Sequence, residues 1–472
     1  MSNWHDMAPE YPPLSRRAFL TRAAVAAGAV AVGGPTLLAR PARGSTPANG
    51  IHLAFGADPA RQIGVSWSTP QRVLNPTLEV LRNGDWAPIE AIDRTTPAVP
   101  TVYHHAVVTG LRPGTTYQYR IRDDPAESAR YFTTAPDANR SFRFAMFGDM
   151  GVSQGALDNL ARLSEAQPEF CFVVGDLCYA DVSGGIEPLK ALPYNPATWD
   201  NWFQQIQHSA SRVQWMSTVG NHEMERDGGD LGYDNYLAKF QLPGNGAMSA
   251  TITEPVTYHY RYGNVAFIAA DGNDASYEIA RNRDYLGVAQ DRWLEEVISS
   301  YRSDDSIDFI VVGFHNCMYC TNSVHGSDGG NRDRWQEMFE RLGVDVVVNG
   351  HNHSYERTHP LKGGEPQDDA PMNATVNSTL GTTYITAGGA GQAEYPTTTH
   401  PAGFVVTETG ARVPELAAWS AVRHPGHSIA VVDVTPHGNQ GNASMTIRAI
   451  AKNRDVVDTV TLVRPRTRPA VP

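Results

Sequence analysis

Five short runs of this chain hold residues that could do chemistry together. In order they are Gly148-Asp149-Met150-Gly151, Gly175-Asp176-Leu177-Cys178-Tyr179-Ala180-Asp181, Gly220-Asn221-His222-Glu223, Gly313-Phe314-His315 and Gly350-His351-Asn352-His353. Carboxylate, amide, phenol and imidazole are hard and borderline donors, the set that suits trivalent iron, zinc or manganese. Glycine beside a polar residue lets the backbone turn sharply and approach an ion. A single Gly-Asp is an ordinary turn and an isolated histidine is usually satisfied locally; five such runs, each behind an apolar stretch, point to one shared site. Two cations held a few ångströms apart can grip both ends of an in-line displacement at phosphorus and acidify bound water. The chemistry expected of such a donor set is metal-assisted hydrolysis.

The stretches before these clusters read as buried strands: Phe142–Phe147, Phe170–Val174, Trp215–Val219, Phe309–Val312 and Val344–Val348. Helical spacing fills Ala156–Ala166, Ala197–His208, Gln290–Tyr301 and Arg332–Leu342, with Trp293, Leu294, Val297, Ile298 and Tyr301 on one face. A hairpin is expected where Thr257–Tyr262 and Val265–Ala270 flank Gly263-Asn264, and late strands at Thr382–Thr386, Ser428–Val434, Ser444–Ala451 and Val456–Val463. The carboxyl ends of strands open onto a common crevice in α/β sheets, so clusters far apart in sequence can converge. The mixture predicts an α/β fold over residues 141–465, two stacked mixed β-sheets flanked by helices. Lys362–Ser378 and Thr397–His424 read as long surface loops. Residues 51–136 alternate in short runs, Ile51–Phe55, Ile63–Ser68, His105–Val108 and Tyr117–Ile121, which predicts a small all-β sandwich joined through a linker at Pro136–Arg140.

The clusters resemble those of the metallophosphoesterase superfamily and, within it, the purple acid phosphatases. The segment Leu111–Tyr119 resembles the tyrosine-bearing corner of fibronectin type III-like domains, and that family also begins with a fibronectin-like domain. The resemblance thus spans nearly the whole chain beyond its first segment. Most of the superfamily carries Asp-x-His in the first motif, whereas Gly151 stands there and cannot coordinate; purple acid phosphatases carry tyrosine in Gly-Asp-x-x-Tyr, and Tyr179 stands there. The resemblance implies that Asp149, Tyr179 and His353 hold Fe(III), with a coloured phenolate. It implies that Asn221, His315 and His351 hold a divalent ion, zinc, manganese or iron, and that Asp176 bridges the two. His222 matches an outer-sphere histidine facing phosphate. His325 matches a second such position, but the family often has two adjacent histidines there and Val324 precedes a single one here. The implied activity is that of an acid phosphatase, cleaving small-molecule phosphate monoesters by metal-activated hydroxide. A phosphodiesterase, nucleotidase or pyrophosphatase with the same metals is the nearest alternative. A surface-binding protein with a vestigial metal site is an alternative of another class, and the seven filled ligand positions weigh against it.

The chain has 472 residues, 41% of them hydrophobic and 19% charged, enough for two or three cores. Its formal charge of −12 weighs against coating nucleic acid or an anionic membrane, so phosphate must be met by local cations. Residues 1–44 read as an address. Arg16-Arg17 precedes a weakly apolar run, Ala23–Leu38, interrupted by Gly33-Gly34-Pro35 and closed by Arg40-Pro41-Ala42-Arg43. This resembles a bacterial twin-arginine signal and implies export to periplasm, cell wall or medium. The run falls short of the ~20 apolar residues a membrane span needs, and no later stretch reaches that length.

Four cysteines do not make a disulfide scaffold. Cys317-Met318-Tyr319-Cys320 has redox-motif spacing but follows His315 in a loop, and reads as a local disulfide or two idle thiols; Cys171 and Cys178 read as buried filler. Gly388-Gly389-Ala390-Gly391 reads as a glycine turn. His104, His105, His208, His259, His424 and His427 have no partner cluster and read as structural. The sequons at Asn139, Asn373, Asn377 and Asn442 read as polar loops.

Overall fold

The computed structural model describes residues 46–125, 129–185, 192–395, 402–438 and 441–465. The twin-arginine segment lies outside them. The alternating runs at the amino end form a β-sandwich. One layer contains Asn49–Phe55, Ile63–Thr69, Val99–Val108 and Ile92–Thr96 in spatial order, and the other Asp85–Glu90, Thr77–Arg82, Thr116–Ile121 and Arg130–Thr133. Ile51, Leu53, Val65, Val80, Tyr119 and Phe132 fill the space between the layers. The Tyr117 hydroxyl accepts the Arg112 backbone N–H at 2.9 Å and ties the corner down.

The α/β part begins with three adjacent parallel strands, Phe142–Phe147, Phe170–Val173 and Gln214–Ser217. Ser428–Thr435, Ala443–Ala451 and Val456–Arg464 extend the sheet antiparallel on one side, and Ala374–Asn377 closes that edge. On the other side Gln214–Ser217 meets Asn49–Phe55 in parallel, Gln214 opposite Leu53. One eleven-stranded sheet therefore runs from the sandwich into the α/β part, a continuity that the expected linker at Pro136–Arg140 gave no sign of.

A second, eight-stranded sheet faces it, ordered Tyr258–Tyr262, Val265–Ala269, Phe309–Gly313, Val346–Asn349, Thr382–Ala387, Tyr355–Lys362 and Glu365–Pro366, with Ser420–His424 also pairing with Tyr355–Lys362. The core between the sheets is rich in aromatic rings: Phe144 stacks on Phe170 at 5.3 Å, and Phe267 meets both edge-on.

Helices Gln154–Ala166, Thr198–Ala210, Val288–Arg302 and Gly329–Leu342 cover the outer faces. The last starts three residues before the spacing suggests, because the Asp328 side chain caps it by accepting the Gly330 and Asn331 N–H groups. The expected loops need correction. Within the described part of Thr397–His424, Ala402–Val406 pairs with Arg412–Leu416 and with Ser327–Asp328, and Ser420–His424 joins the second sheet. Lys362–Ser378 likewise contains Ala374–Asn377 and the two-residue strand Glu365–Pro366. Most of these strand residues stay partly exposed, so no apolar alternation marks them.

Candidate metal centre

All five clusters leave their strands at the same end of the two facing sheets. The ladders continue briefly past the strands: Asp149 N–H donates to Gly175 O, Thr218 N–H to Val173 O and Gly350 N–H to His315 O. Four of the expected ligands, Asp149, Asp176, Tyr179 and His351, have φ between +52° and +65°. Non-glycine residues rarely hold that left-handed conformation, and where they do the surroundings have to enforce it. The glycines are needed for closeness. A Cβ on Gly220 would collide with Asp176 Oδ1, and one on Gly350 with Asp149 Oδ2.

On one side of the crevice the Tyr179 hydroxyl lies 3.2 Å from Asp149 Oδ1 and 3.1 Å from His353 Nε2. His353 Nδ1 donates to Ala393 O at 2.6 Å, which leaves Nε2 unprotonated toward Tyr179 and Asp149 in the neutral ring. Asp149 also accepts the His351 backbone N–H. Burial, with the like charge of Asp176, pushes the Asp149 carboxyl well above its ordinary range against the pull of His315.

On the other side His315 Nδ1 donates to Val174 O at 2.7 Å, and its Nε2 points at Asp176 Oδ2, 3.0 Å away. That Nε2 has no hydrogen bond of proper direction, and neither has the buried Asn221 Oδ1. A ring nitrogen lone pair aimed at a carboxylate is repulsive unless a cation or proton lies between them. Burial alone would keep His315 neutral, yet Asp176 and Asp149 raise its pKa to about 10. Burial favours protonating Asp176 too, but His315 and His222 override it and hold that carboxyl far below the ordinary range. Ligating atoms of Asp176, His315 and His351 lie within 4.8 Å of one another. Orphaned donors, excess buried negative charge and a hard donor set fit metal ions.

His222 and His325 flank this core. His222 Nδ1 donates to Asp181 O at 2.7 Å, its Nε2 stands 3.9 Å from Asp176 Oδ2, and its ring lies 4.2 Å from that of Tyr179. The His325 ring lies 3.9 Å from that of His351. All nine residues singled out from the sequence thus gather in one crevice.

Three further residues belong to it. Glu223 accepts the N–H groups of Asp176, Leu177 and Gly220, clamping two clusters together, and burial with the Asp176 charge raises its pKa to about 7. Its place in Gly-Asn-His-Glu was a usable signal, since a carboxylate three residues into a turn can reach back to the backbone. Tyr395 stacks on His353 at 3.9 Å, and Glu278 touches both His325 and His351; neither lies in a motif. Cys317 and Cys320 are free thiols, both buried, with Cys317 Sγ donating to Gly350 O, so the structure contains the thiol pair and not the disulfide. Cys171 and Cys178 are buried and free as expected.

Residues 48–135 match the family model described as the purple acid phosphatase N-terminal domain, and residues 142–355 that of the calcineurin-like phosphoesterases. An uncharacterized protein of Mycobacterium tuberculosis is 31% identical over 526 aligned positions, covering 96% of this chain and 97% of that protein. Purple acid phosphatase 23 of Arabidopsis thaliana is 28% identical over 62% of this chain and 63% of its own length. Phosphoenolpyruvate phosphatase of Allium cepa is 26% identical over 62% and 58%. The matches span less than two thirds of these plant proteins. Among solved structures, a purple acid phosphatase from yellow lupin (Lupinus luteus) seeds has a TM-score of 0.69 at 19% identity, over 89% of this chain and 75% of that one. PhoD has a TM-score of 0.56 at 12% identity, over 90% and 94%.

Proposed function

From the match of residues 142–355 to the calcineurin-like phosphoesterases and the purple-acid-phosphatase-like metallophosphoesterase domain structure, we propose that the chain hydrolyses phosphate monoesters at a dinuclear centre of Fe(III) and a divalent ion. The observation that carries the reading is a pair of orphaned buried ligand atoms, His315 Nε2 and Asn221 Oδ1, in the crevice where Tyr179 meets Asp149 and His353. Asp149, Tyr179 and His353 would hold the iron, Asn221, His315 and His351 the divalent ion, and Asp176 both. Such a pair supplies the positive charge that draws in phosphate and a water acidified toward neutrality.

The chain's own side chains supply orientation and protons. His222 is fixed by its Nδ1–H bond to Asp181 O, and its ring, when protonated, would donate Nε2–H to a phosphate oxygen in the crevice. His325 lies against His351 and, with both ring nitrogens protonated, would give its Nε2 proton to the departing alkoxide and return to the neutral ring. The Glu223 clamp keeps the Asp176 and Asn221 loops at the separation the ligands require.

Two parts of the reading concern the amino end. Residues 1–44 would direct the protein through the twin-arginine route, so replacing Arg16 and Arg17 with lysine should retain it in the cytoplasm. The Tyr117–Arg112 contact supports a fibronectin type III-like sandwich carrying no chemistry of its own. The activity is tested by comparing matched monoester and diester substrates with purified protein. Faster monoester turnover is expected; a preference for diesters, nucleotides or pyrophosphate would overturn the monoesterase assignment.

A further inference from the structure

Glu278 lies outside every motif, in the irregular segment between the hairpin strand Val265–Ala269 and helix Val288–Arg302. Its carboxylate uses both oxygens. Oε1 accepts from His325 Nδ1 at 2.9 Å and Oε2 from His351 Nε2 at 3.0 Å. The segment is held firmly. Asp328, the cap of helix Gly329–Leu342, accepts the Ser276 hydroxyl at 2.5 Å and the backbone N–H groups of Tyr277 and Glu278 at 3.1 and 3.3 Å. Asp328 follows His325 by three residues, so one anchor sets both partners of the carboxylate–imidazole pair. A guanidinium nitrogen of Arg412 lies 3.8 Å from Glu278 Oε1 and adds positive charge.

We propose that Glu278 is a positioning residue, a single carboxylate that fixes the ring orientation and tautomer of His325 and His351 together. A hydrogen bond at one imidazole nitrogen decides what the other can do. Holding His351 by Nε2–H leaves Nδ1 as the ligand atom, and a carboxylate behind a ligating imidazole raises its basicity. Holding His325 by Nδ1–H turns its Nε2 toward the crevice, where the Tyr395 hydroxyl lies 3.4 Å away. The leaving-group part of this role rests on the monoesterase reading; the metal part does not.

The test uses the whole chain and the variant Glu278→Gln, which keeps the shape and removes the charge, with Glu278→Asp as the conservative partner. Equilibrium dialysis of Zn²⁺ or Mn²⁺ against metal-stripped protein should show one site weakened by ~10–100-fold in Glu278→Gln, the range for carboxylates behind ligating histidines, and less in Glu278→Asp. The visible absorption of the Tyr179 half should persist. On alkyl phosphates Glu278→Gln should slow turnover more than on nitrophenyl phosphate, and that selectivity should vanish in a His325→Ala background. Unchanged metal affinity in Glu278→Gln overturns the proposal. So does the loss of a third metal equivalent per chain, because Glu278, His325 and His351 would then be ligands of their own ion. A wild-type protein inactive on every monoester ends the functional reading instead, and the dialysis alone then decides the role of Glu278.

Discussion

The β-sandwich and the crevice both bury histidines, and they treat them in opposite ways. In the sandwich His105 has both ring nitrogens occupied: Nδ1 accepts from the Ser66 hydroxyl at 2.8 Å and Nε2 donates to Ala238 O at 3.0 Å. Burial holds its pKa at about 3, and the ring is a neutral, closed structural element. In the crevice His315 is just as buried and has one nitrogen tied to Val174 O, but its other nitrogen faces Asp176 with no hydrogen bond, and the surrounding carboxylates lift its pKa to about 10. Burial alone therefore says little about an imidazole. What separates filler from a candidate ligand is whether the second nitrogen is satisfied by the protein, and what charge it faces.

The contrast can be broken most severely at Asp176, the carboxylate expected to hold both ions. Asp176→Asn should remove turnover to background and lower the occupancy of both sites, by more than the ~10–100-fold typical of residues behind the ligands; metal content per chain and steady-state rates check this. Near-normal activity with both metals retained would mean Asp176 is not the bridge. A step smaller, His325→Ala should slow esters of poor leaving groups by ~10²–10⁴-fold while sparing activated aryl phosphates, as loss of a general acid does. Equal slowing of both would reduce His325 to a phosphate contact.

The smallest effect belongs to the sandwich. His105→Leu leaves Ser66 Oγ and Ala238 O without partners and should cost about 1–3 kcal/mol of stability, with metal content and turnover per folded molecule unchanged. Because the pKa of His105 is about 3 when folded against 6.5 for a free imidazole, the unfolded chain binds the proton first. Its contribution to stability is full above pH 6.5 and is lost progressively as pH falls toward about 3. Denaturant unfolding at several pH values should therefore depend less on pH in His105→Leu than in the wild type.

Sequence carried the crevice because its residues sit where strands end, each with a glycine to permit close approach, and both signals are local. His104 and His105 were also legible as structural, and both rings are satisfied, His104 by Asp93 and Thr69 and His105 by Ser66 and Ala238 O. Glu278 was not legible, since what brings it to His325 and His351 is the long-range tie of Ser276 and Tyr277 to Asp328. The edge strands Arg412–Leu416 and Ser420–His424 escaped because their side chains are half-exposed on both faces. The join between the sandwich and the α/β sheet rests on backbone pairing of Leu53 with Gln214, and no side-chain pattern encodes it.

The central claim is that the open nitrogens and oxygens of the crevice belong to a metal pair, one member of which is ferric and bound to Tyr179. It is tested most directly by the visible spectrum and metal content of the purified protein, measured beside Tyr179→Phe. The account predicts iron with a second metal ion in each chain and a charge-transfer band that Tyr179→Phe abolishes without unfolding the protein. A colourless wild-type protein fully loaded with iron(III), or a band that survives Tyr179→Phe, would contradict it.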